Sequence, residues 1–457
     1  EIAQCLVGSE MCIRDRLIVS FLTIFTAQAI DLTGVKIYIN PGHGGYDSND
    51  RSVWTIPVPE VWKNPEGYWE SKSNLVKGLA LKEMLEAAGA TVIISRTDNT
   101  SGIRDGEQFA GGGDRDLSEI AEEANANNVD HFLSIHSNSL NTTTNYLLLL
   151  YHGYNDQPTV AQSLPMAQSS GPIQINNPLT VWTSPTPMLR GDFTFYGDNL
   201  GLGVLRPLTV PGFLSEGSFH DYPPETHRLM NNDFCKLEAI RFFQHFHNYF
   251  KRDMPAPGTI AGFVKSGNEL VDILKQPKFT YRAGSDDQWL PLNEATVKLL
   301  NADGSQVLKT YTTDNWYNGI FAFYDLQPGN YKLSFSLTNY ESKTVDVTVT
   351  ASEIAYTKAF LKNINIIVPD YPAPEQGDGA TALNQYDFVP DGNVENPTWL
   401  SSSSIRRILQ RNGKLYVLTN DPKIIVANAE TQEVIKELDL TGITCLLYTS
   451  PSPRDTE

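Results

Sequence analysis

Val35-Lys36-Ile37-Tyr38-Ile39-Asn40-Pro41-Gly42-His43-Gly44-Gly45 is the stretch that decides the fold. A run of β-branched and aromatic side chains delivers a histidine onto a glycine loop, where backbone can approach a ligand closely. Alone this is a tight turn that holds a histidine. It gains weight from Phe132-Leu133-Ser134-Ile135-His136-Ser137-Asn138, which places a second histidine in the same context. Two histidines at the exits of two apolar strands build a metal site at the edge of an open α/β sheet.

Working outward, residues 31–252 alternate strand-like and helix-like runs. Val35–Ile39 reads as a strand and Ser73–Ala88 as a helix with Leu75, Leu79 and Leu85 among its apolar positions, ended by Gly89. Thr91–Ser95 is the next strand, Leu117–Asn127 a second helix and His131–Ile135 a third strand. The alternation predicts an α/β domain: an open, mostly parallel sheet with covering helices. Residues 140–205 are rich in Thr, Pro and Gly and read as an unperiodic insertion near the site, in which Arg190–Tyr196 is expected to shape the substrate groove. Phe213–Ser215 is a further strand, followed by a long helix over Asp233–Phe250.

Between the two histidines, Gly67-Tyr68-Trp69-Glu70 precedes the first helix. A carboxylate in a first helical turn is electrostatically favoured and can point towards the strand ends. His43, Glu70 and His136 thus form a His₂Glu set, the complement of a catalytic zinc with one open position. Glu216, in Leu214-Ser215-Glu216-Gly217, follows another apolar strand and should emerge on the same sheet edge, where a carboxylate can take a proton from water and return one to a leaving amine.

In sequential order, Pro41-Gly42-His43-Gly44-Gly45, Glu70, Ser134-Ile135-His136-Ser137-Asn138 and the late Glu216 resemble the zinc-dependent N-acetylmuramoyl-L-alanine amidases of the type-3 family. The resemblance covers roughly residues 33–250, and Arg96 and Arg115 fit its pattern. It implies an amidase/phosphorylase-like fold, one zinc ion held by His43, Glu70 and His136, Glu216 as general base and acid, and hydrolysis of the amide between N-acetylmuramic acid and L-alanine in peptidoglycan. The sequence departs from the pattern at Asn40, where an acidic residue is more usual, and in Asp47-Ser48-Asn49, which lacks a glycine. Competing expectations are another zinc-dependent amidohydrolase or peptidase, and a catalytically silent cell-surface binding scaffold.

Met254-Pro255-Ala256-Pro257-Gly258 reads as a linker, assigned to residues 253–258. Short strand-like runs over 259–362 predict a small all-β sandwich. Phe323-Tyr324-Asp325-Leu326-Gln327-Pro328-Gly329-Asn330-Tyr331 resembles the carboxypeptidase regulatory-like, prealbumin-type domain. That resemblance implies a spacer, or an adaptor for a surface or glycan partner. After a second linker, 363–400, residues 401–444 carry three short strands resembling one partial β-propeller blade.

The net charge of −18, from 35 basic and 53 acidic residues, disfavours nucleic acid and anionic membrane surfaces, because the electrostatic contribution would be repulsive. Leu17–Thr26 with Ala27-Gln28-Ala29 is expected to be a signal peptide (17–29), too short to span a bilayer, so an exported location, periplasmic or extracellular, is predicted. Residues 1–16 and 445–457 resemble translated adapter sequence from assembled reads. Three of the four cysteines lie in or against those ends, which leaves Cys235 and no disulfide framework. His152, His220 and His227 stand in polar segments and are expected at the surface or in the groove. His245 and His247 are two apart on a helix and cannot face one metal together. Tyr222 and Trp182 are expected to serve framework packing.

Overall fold

The computed structural model describes residues 32–45, 68–99, 103–104, 107–108, 115–271, 280–365, 405–411, 413–419, 423–429, 431 and 433–439. The expected leader, both unusual ends and most of the 363–400 linker lie outside them.

In chain order the first domain comprises β1 (Lys36–Pro41), α1 (Glu70–Ala87), β2 (Thr91–Ile94), the short pair β3 (Ile103–Arg104) and β4 (Glu107–Gln108), α2 (Leu117–Ala126), β5 (His131–Asn138), β6 (Leu148–Tyr151), the short pair β7 (Gly153–Tyr154) and β8 (Gln157–Pro158), α3 (Ser163–Ile175), β9 (Met188–Gly191), α4 (Asp192–Tyr196), β10 (Gly212–Phe219), α5 (Pro223–Leu229) and α6 (Asn232–Tyr249). Six strands form one sheet in the order β2-β1-β5-β10-β6-β9. It is parallel except where β10 meets β6. The predicted α/β class holds, with one antiparallel junction in the sheet.

The alternation in β1 explains the layers. Ile37 and Ile39 are buried towards α1, α3 and α6, together with Leu133, Ile135 and Phe213 from neighbouring strands. Tyr38 points to the other face and packs with Phe132, Leu214 and the α2 residues Ile120 and Ala121. Side chains of successive strand residues take opposite faces, so one strand seeds two cores. Helix α1 lies close on β1 because Gly78 has no side chain; a Cβ there would stand 2.5 Å from Pro41 Cγ. That helix begins three residues earlier than its apolar spacing suggests, and Leu79 is 36% exposed while Leu81 is buried.

The 140–205 segment is not a structureless insertion. Its Leu147–Tyr151 run is fully buried and adds β6 and β9 to the central sheet, with α3 on one face. Thr, Pro and Gly in the connections masked that periodicity.

The second domain has β11 (Gly258–Leu270), β12 (Trp289–Pro291), β13 (Thr296–Leu300), β14 (Val307–Thr312), β15 (Ile320–Leu326), β16 (Gly329–Ser336), β17 (Lys343–Val349) and β18 (Ile354–Leu361). Two four-stranded sheets, one with β11 at its centre and one ordered β14-β13-β16-β17, pack face to face over Ile260, Val264, Val297, Leu299, Phe321, Leu333 and Phe335. This is the expected β-sandwich.

The sandwich shares a core with the first domain. Tyr68, Leu229, Phe234 and Leu237 pack together with Ala261, Phe263, Ile320 and Ala322. Separately, β19 (Ile405–Arg411), β20 (Lys414–Thr419), β21 (Lys423–Asn428) and β22 (Val434–Asp439) form an antiparallel meander, a unit of its own with four strands rather than three. A ring of blades is not seen among the described residues. No helix among them is long and apolar enough to cross a membrane.

Candidate active site

The carboxyl ends of β1, β5 and β10 lie side by side, the edge where open α/β sheets bind ligands. β1 runs into Gly42, whose N–H donates to the Ile135 carbonyl at 2.9 Å. The next residue, His43, has φ 61°, a left-handed conformation uncommon for a side-chain-bearing residue and concentrated at functional sites. On β5, His136 stands one residue past the Pro41–Ile135 pair, and its ring meets that of His43 edge-on at 5.0 Å.

Glu70 is the first residue of α1 and is 1% exposed. One carboxylate oxygen, Oε2, lies 3.3 Å from His43 Nε2, and the other, Oε1, lies 3.3 Å from His136 Nδ1. Oε1 also accepts from the Ser137 backbone N–H at 2.8 Å and from Asn74 Nδ2 at 3.3 Å. Burial alone would raise the Glu70 pKa, but the facing His43, with His136 and His220 behind it, holds the carboxyl well below the usual range. One donor atom from each of His43, Glu70 and His136 lies within 4.8 Å of the others. Two imidazole nitrogens and an ionised, hydrogen-bonded carboxylate are the donor set of a catalytic zinc, so the residues present fit that ion.

Arg96 locks together the segments that carry His43 and Glu70. Buried at 2% exposure, it donates to the carbonyls of Pro41 (2.9 Å), Gly42 (3.0 Å) and Ser71 (2.7 Å) and to Asn99 Oδ1 (3.0 Å). Asn40, the departure noted in the sequence, is buried and neutral: it donates to Ser134 Oγ and accepts from Ser95 Oγ, so no charge is left uncompensated there. Arg115 pairs with Glu123 at 2.8 Å and reaches Tyr38, beneath the sheet rather than in the site.

Glu216 is the direct partner of His136 across the β5–β10 pair, so the two side chains share a face. Tyr146 flanks it: burial, then the Glu216 charge, raise the Tyr146 phenol's pKa. All four predicted residues therefore converge on one sheet edge.

Sequence reasoning missed a layer beneath them. Tyr68 Oη lies 2.9 Å from Ser137 Oγ and 3.0 Å from Ser73 Oγ, and its ring stacks on His220 at 5.6 Å. His220 is not at the surface; it is fully buried, with Nδ1 2.9 Å from the Ser137 carbonyl and 3.6 Å from Glu70 Oε2. The carbonyl can only accept, which assigns the proton to Nδ1. His227 is likewise buried, its Nδ1 2.6 Å from the Trp316 carbonyl. His152 pairs with the buried Asp192 at 3.0 Å. Those placements follow from tertiary partners far away in sequence, which polarity of the local segment cannot reveal. Arg190–Tyr196 is also displaced from its expected role. Gly191 pairs with Tyr151, whereas Glu216 pairs with Leu148 at the other end of the antiparallel β6, so α4 lies at the sheet's opposite end. Tyr222 is buried and serves the framework. His245 and His247 are both buried, and His245 Nε2 lies 3.1 Å from His131 Nε2.

Residues 37–240 match the N-acetylmuramoyl-L-alanine amidase family, and residues 285–361 match the carboxypeptidase regulatory-like domain. The first domain is thus similar to the amidase family, and the β-sandwich to the regulatory-like domain. Among individual proteins, it is similar to N-acetylmuramoyl-L-alanine amidase CwlM of Bacillus licheniformis, 25% identical over 207 residues, which are 45% of this chain and 64% of that protein. The chain therefore spans less than two thirds of that relative's length. Solved structures similar to it include N-acetylmuramoyl-L-alanine amidase AmiC2 of Nostoc punctiforme (21% identity, 48% of this chain and 99% of that one, TM-score 0.36). Another is the N-acetylmuramoyl-L-alanine amidase from Clostridium difficile 630 (20% identity, 48% and 97% covered, TM-score 0.35).

Proposed function

We propose that this protein is an exported, zinc-dependent cell-wall hydrolase that cuts the amide between N-acetylmuramic acid and the first L-alanine of the peptidoglycan stem. The observation that carries the reading is the convergence of His43, Glu70 and His136 around one point, beside Glu216 on the adjoining strand. His43, Glu70 and His136 would hold zinc, and the match of residues 37–240 to the amidase family supports the substrate class.

Bound there, zinc supplies Lewis-acid polarisation of the scissile carbonyl and makes water acidic enough to attack near neutral pH. The chain's own residues do the rest. Glu216 accepts the proton of the attacking water and passes it to the departing alanine nitrogen. Glu70 stays ionised because its two oxygens face imidazoles and the Ser137 N–H. Arg96 and the Ser137 backbone keep the ligand-bearing loops from drifting apart.

Purified protein loaded with zinc is incubated with peptidoglycan, and the soluble products are separated by mass. Stem peptides with a free N-terminal L-alanine, with matching lactyl carboxylates on muramic acid, are the expected result. Cleavage elsewhere in the stem would replace the reading with that of a peptidase.

A further inference from the structure

We propose that the β-sandwich is a working wall of the amidase domain rather than a spacer, and that its Asp287 is a positioning residue for the His220–Tyr222 turn behind Glu70. The proposal rests on the zinc-site reading above.

The contact between the domains is a buried charge cluster. Asp287, 2% exposed, comes from a short 3-10 turn of the sandwich. Its Oδ1 accepts from Arg228 Nη1 at 2.7 Å and from Lys265 Nζ at 3.1 Å, and its Oδ2 accepts from Tyr222 Oη at 3.0 Å. Glu225 Oε2 completes the cluster, 2.6 Å from Arg228. Asp287 and Glu225 balance Arg228 and Lys265, so two carboxylates and two cations are buried without net charge. Burial alone would raise the Asp287 pKa, but Arg228 and Lys265 hold it below the usual range. The same loop is pinned along the catalytic edge: Thr280 Oγ1 donates to the Thr142 carbonyl at 2.7 Å, Arg282 Nη1 to the Trp182 carbonyl at 2.7 Å, and the Arg282 N–H to Tyr222 Oη at 3.2 Å.

From Tyr222 the path to the metal ligand is short. Asp221 Oδ2 accepts from the backbone N–H groups of Leu140 and Thr142, fixing the loop after β5. His220 holds the Ser137 carbonyl, and the Ser137 N–H holds Glu70. Tyr68, bonded to Ser137, packs in the core that the sandwich completes. Without Asp287 the buried Arg228 keeps Glu225 alone and the Tyr222 hydroxyl loses its acceptor, and the turn carrying Asp221 and His220 is free to shift. Outer partners of ligating carboxylates typically change metal affinity by about 10- to 100-fold.

The test uses the full chain with Asp287→Asn, Tyr222→Phe and, as an interface control, Gln244→Ala, whose side chain donates to the Ser352 carbonyl across the same boundary. Zinc affinity is measured by chelator competition, and amide exchange of segments 137–142 and 219–222 is followed in metal-free protein. Asp287→Asn and Tyr222→Phe are expected to weaken zinc by about 10-fold or more and to speed exchange in both segments. Gln244→Ala is expected to do neither. Wild-type zinc affinity and unchanged exchange in both Tyr222→Phe and Asp287→Asn would overturn the proposal, and so would equal effects in Gln244→Ala. If Asp287→Asn fails to fold, Tyr222→Phe decides alone. A wild type that binds no zinc sinks the metal-site reading, while faster exchange in the variants still supports the positioning role.

Discussion

The imidazole of His136 fills the space where a side chain on Gly42 would begin: a Cβ there would stand 2.0 Å from His136 Cε1 and 2.2 Å from Nε2. The glycine is thus fixed by the His136 ring on the neighbouring strand. Gly42→Ala must displace His136, since the Gly42 N–H is itself bonded to Ile135. Zinc affinity in the variant is expected to fall by at least the roughly 10- to 100-fold typical of outer-sphere losses. Titration with a zinc-sensitive dye would show it.

In the proposed function Glu216, paired across the strands with His136, moves protons and does not hold the metal. Glu216→Gln is expected to bind zinc as the wild type does while turnover of peptidoglycan falls about 10²- to 10⁴-fold. Metal analysis beside a turbidity assay separates the two effects, and a fully active variant would remove Glu216 from the chemistry.

Arg96→Lys keeps the charge and loses the fork. A lysine ammonium cannot reach the Pro41, Gly42 and Ser71 carbonyls together in the planar geometry seen here. Each carbonyl left unbonded in the interior costs about 1–3 kcal/mol. Denaturant midpoints should therefore shift sharply, and zinc affinity should drop with them because His43 and Glu70 lose their common tether.

Lys77 and Glu238 form a buried ion pair between α1 and α6, 3.0 Å apart. Burial alone would lower the Lys77 pKa, but Glu238 raises it above its ordinary value. Lys77→Met leaves a buried carboxylate unpaired and is expected to destabilise by about 3–5 kcal/mol. The double variant Lys77→Met, Glu238→Leu should recover most of that loss, as equilibrium unfolding would show.

His131 and His245 meet with Nε2 atoms 3.1 Å apart in the interior, where at most one proton can lie between them. Burial pushes the His245 pKa down to about 3 and, with the His245 charge, pushes His131 well below its usual value. The unfolded chain therefore binds more protons than the folded one below about pH 6.5. Stability from these groups is present above that pH and lost as pH falls, by about 1.4 kcal/mol per pH unit for each histidine. Thermal midpoints measured from pH 7 to pH 4.5 should decline, and His245→Phe should flatten the decline; an unchanged slope would exclude the pair.

Much of the site was legible because each of its members follows a local signal. His43, His136 and Glu216 each follow a short apolar run of strand type, and Glu70 opens a helix. Strand exits of a parallel sheet share one edge, so local pattern and spatial convergence agree. His220 carries no such signal: it lies among polar residues, and its burial depends on Tyr68 and Ser137, remote in sequence. The 140–205 segment failed for a similar reason, since one buried strand between Thr- and Pro-rich loops is too short for periodicity to show.

Hydrophobic alternation and glycine placement, which are properties of neighbours in the chain, determined the α/β sheet, the sandwich and the four residues at the strand and helix ends. Tertiary structure alone decided that His220 is buried behind Glu70, and that Asp287 of the sandwich is buried against Tyr222 and Arg228 of the first domain. Burial and pairing of charges depend on surfaces brought together by folding, and a linear pattern does not record which surfaces will meet.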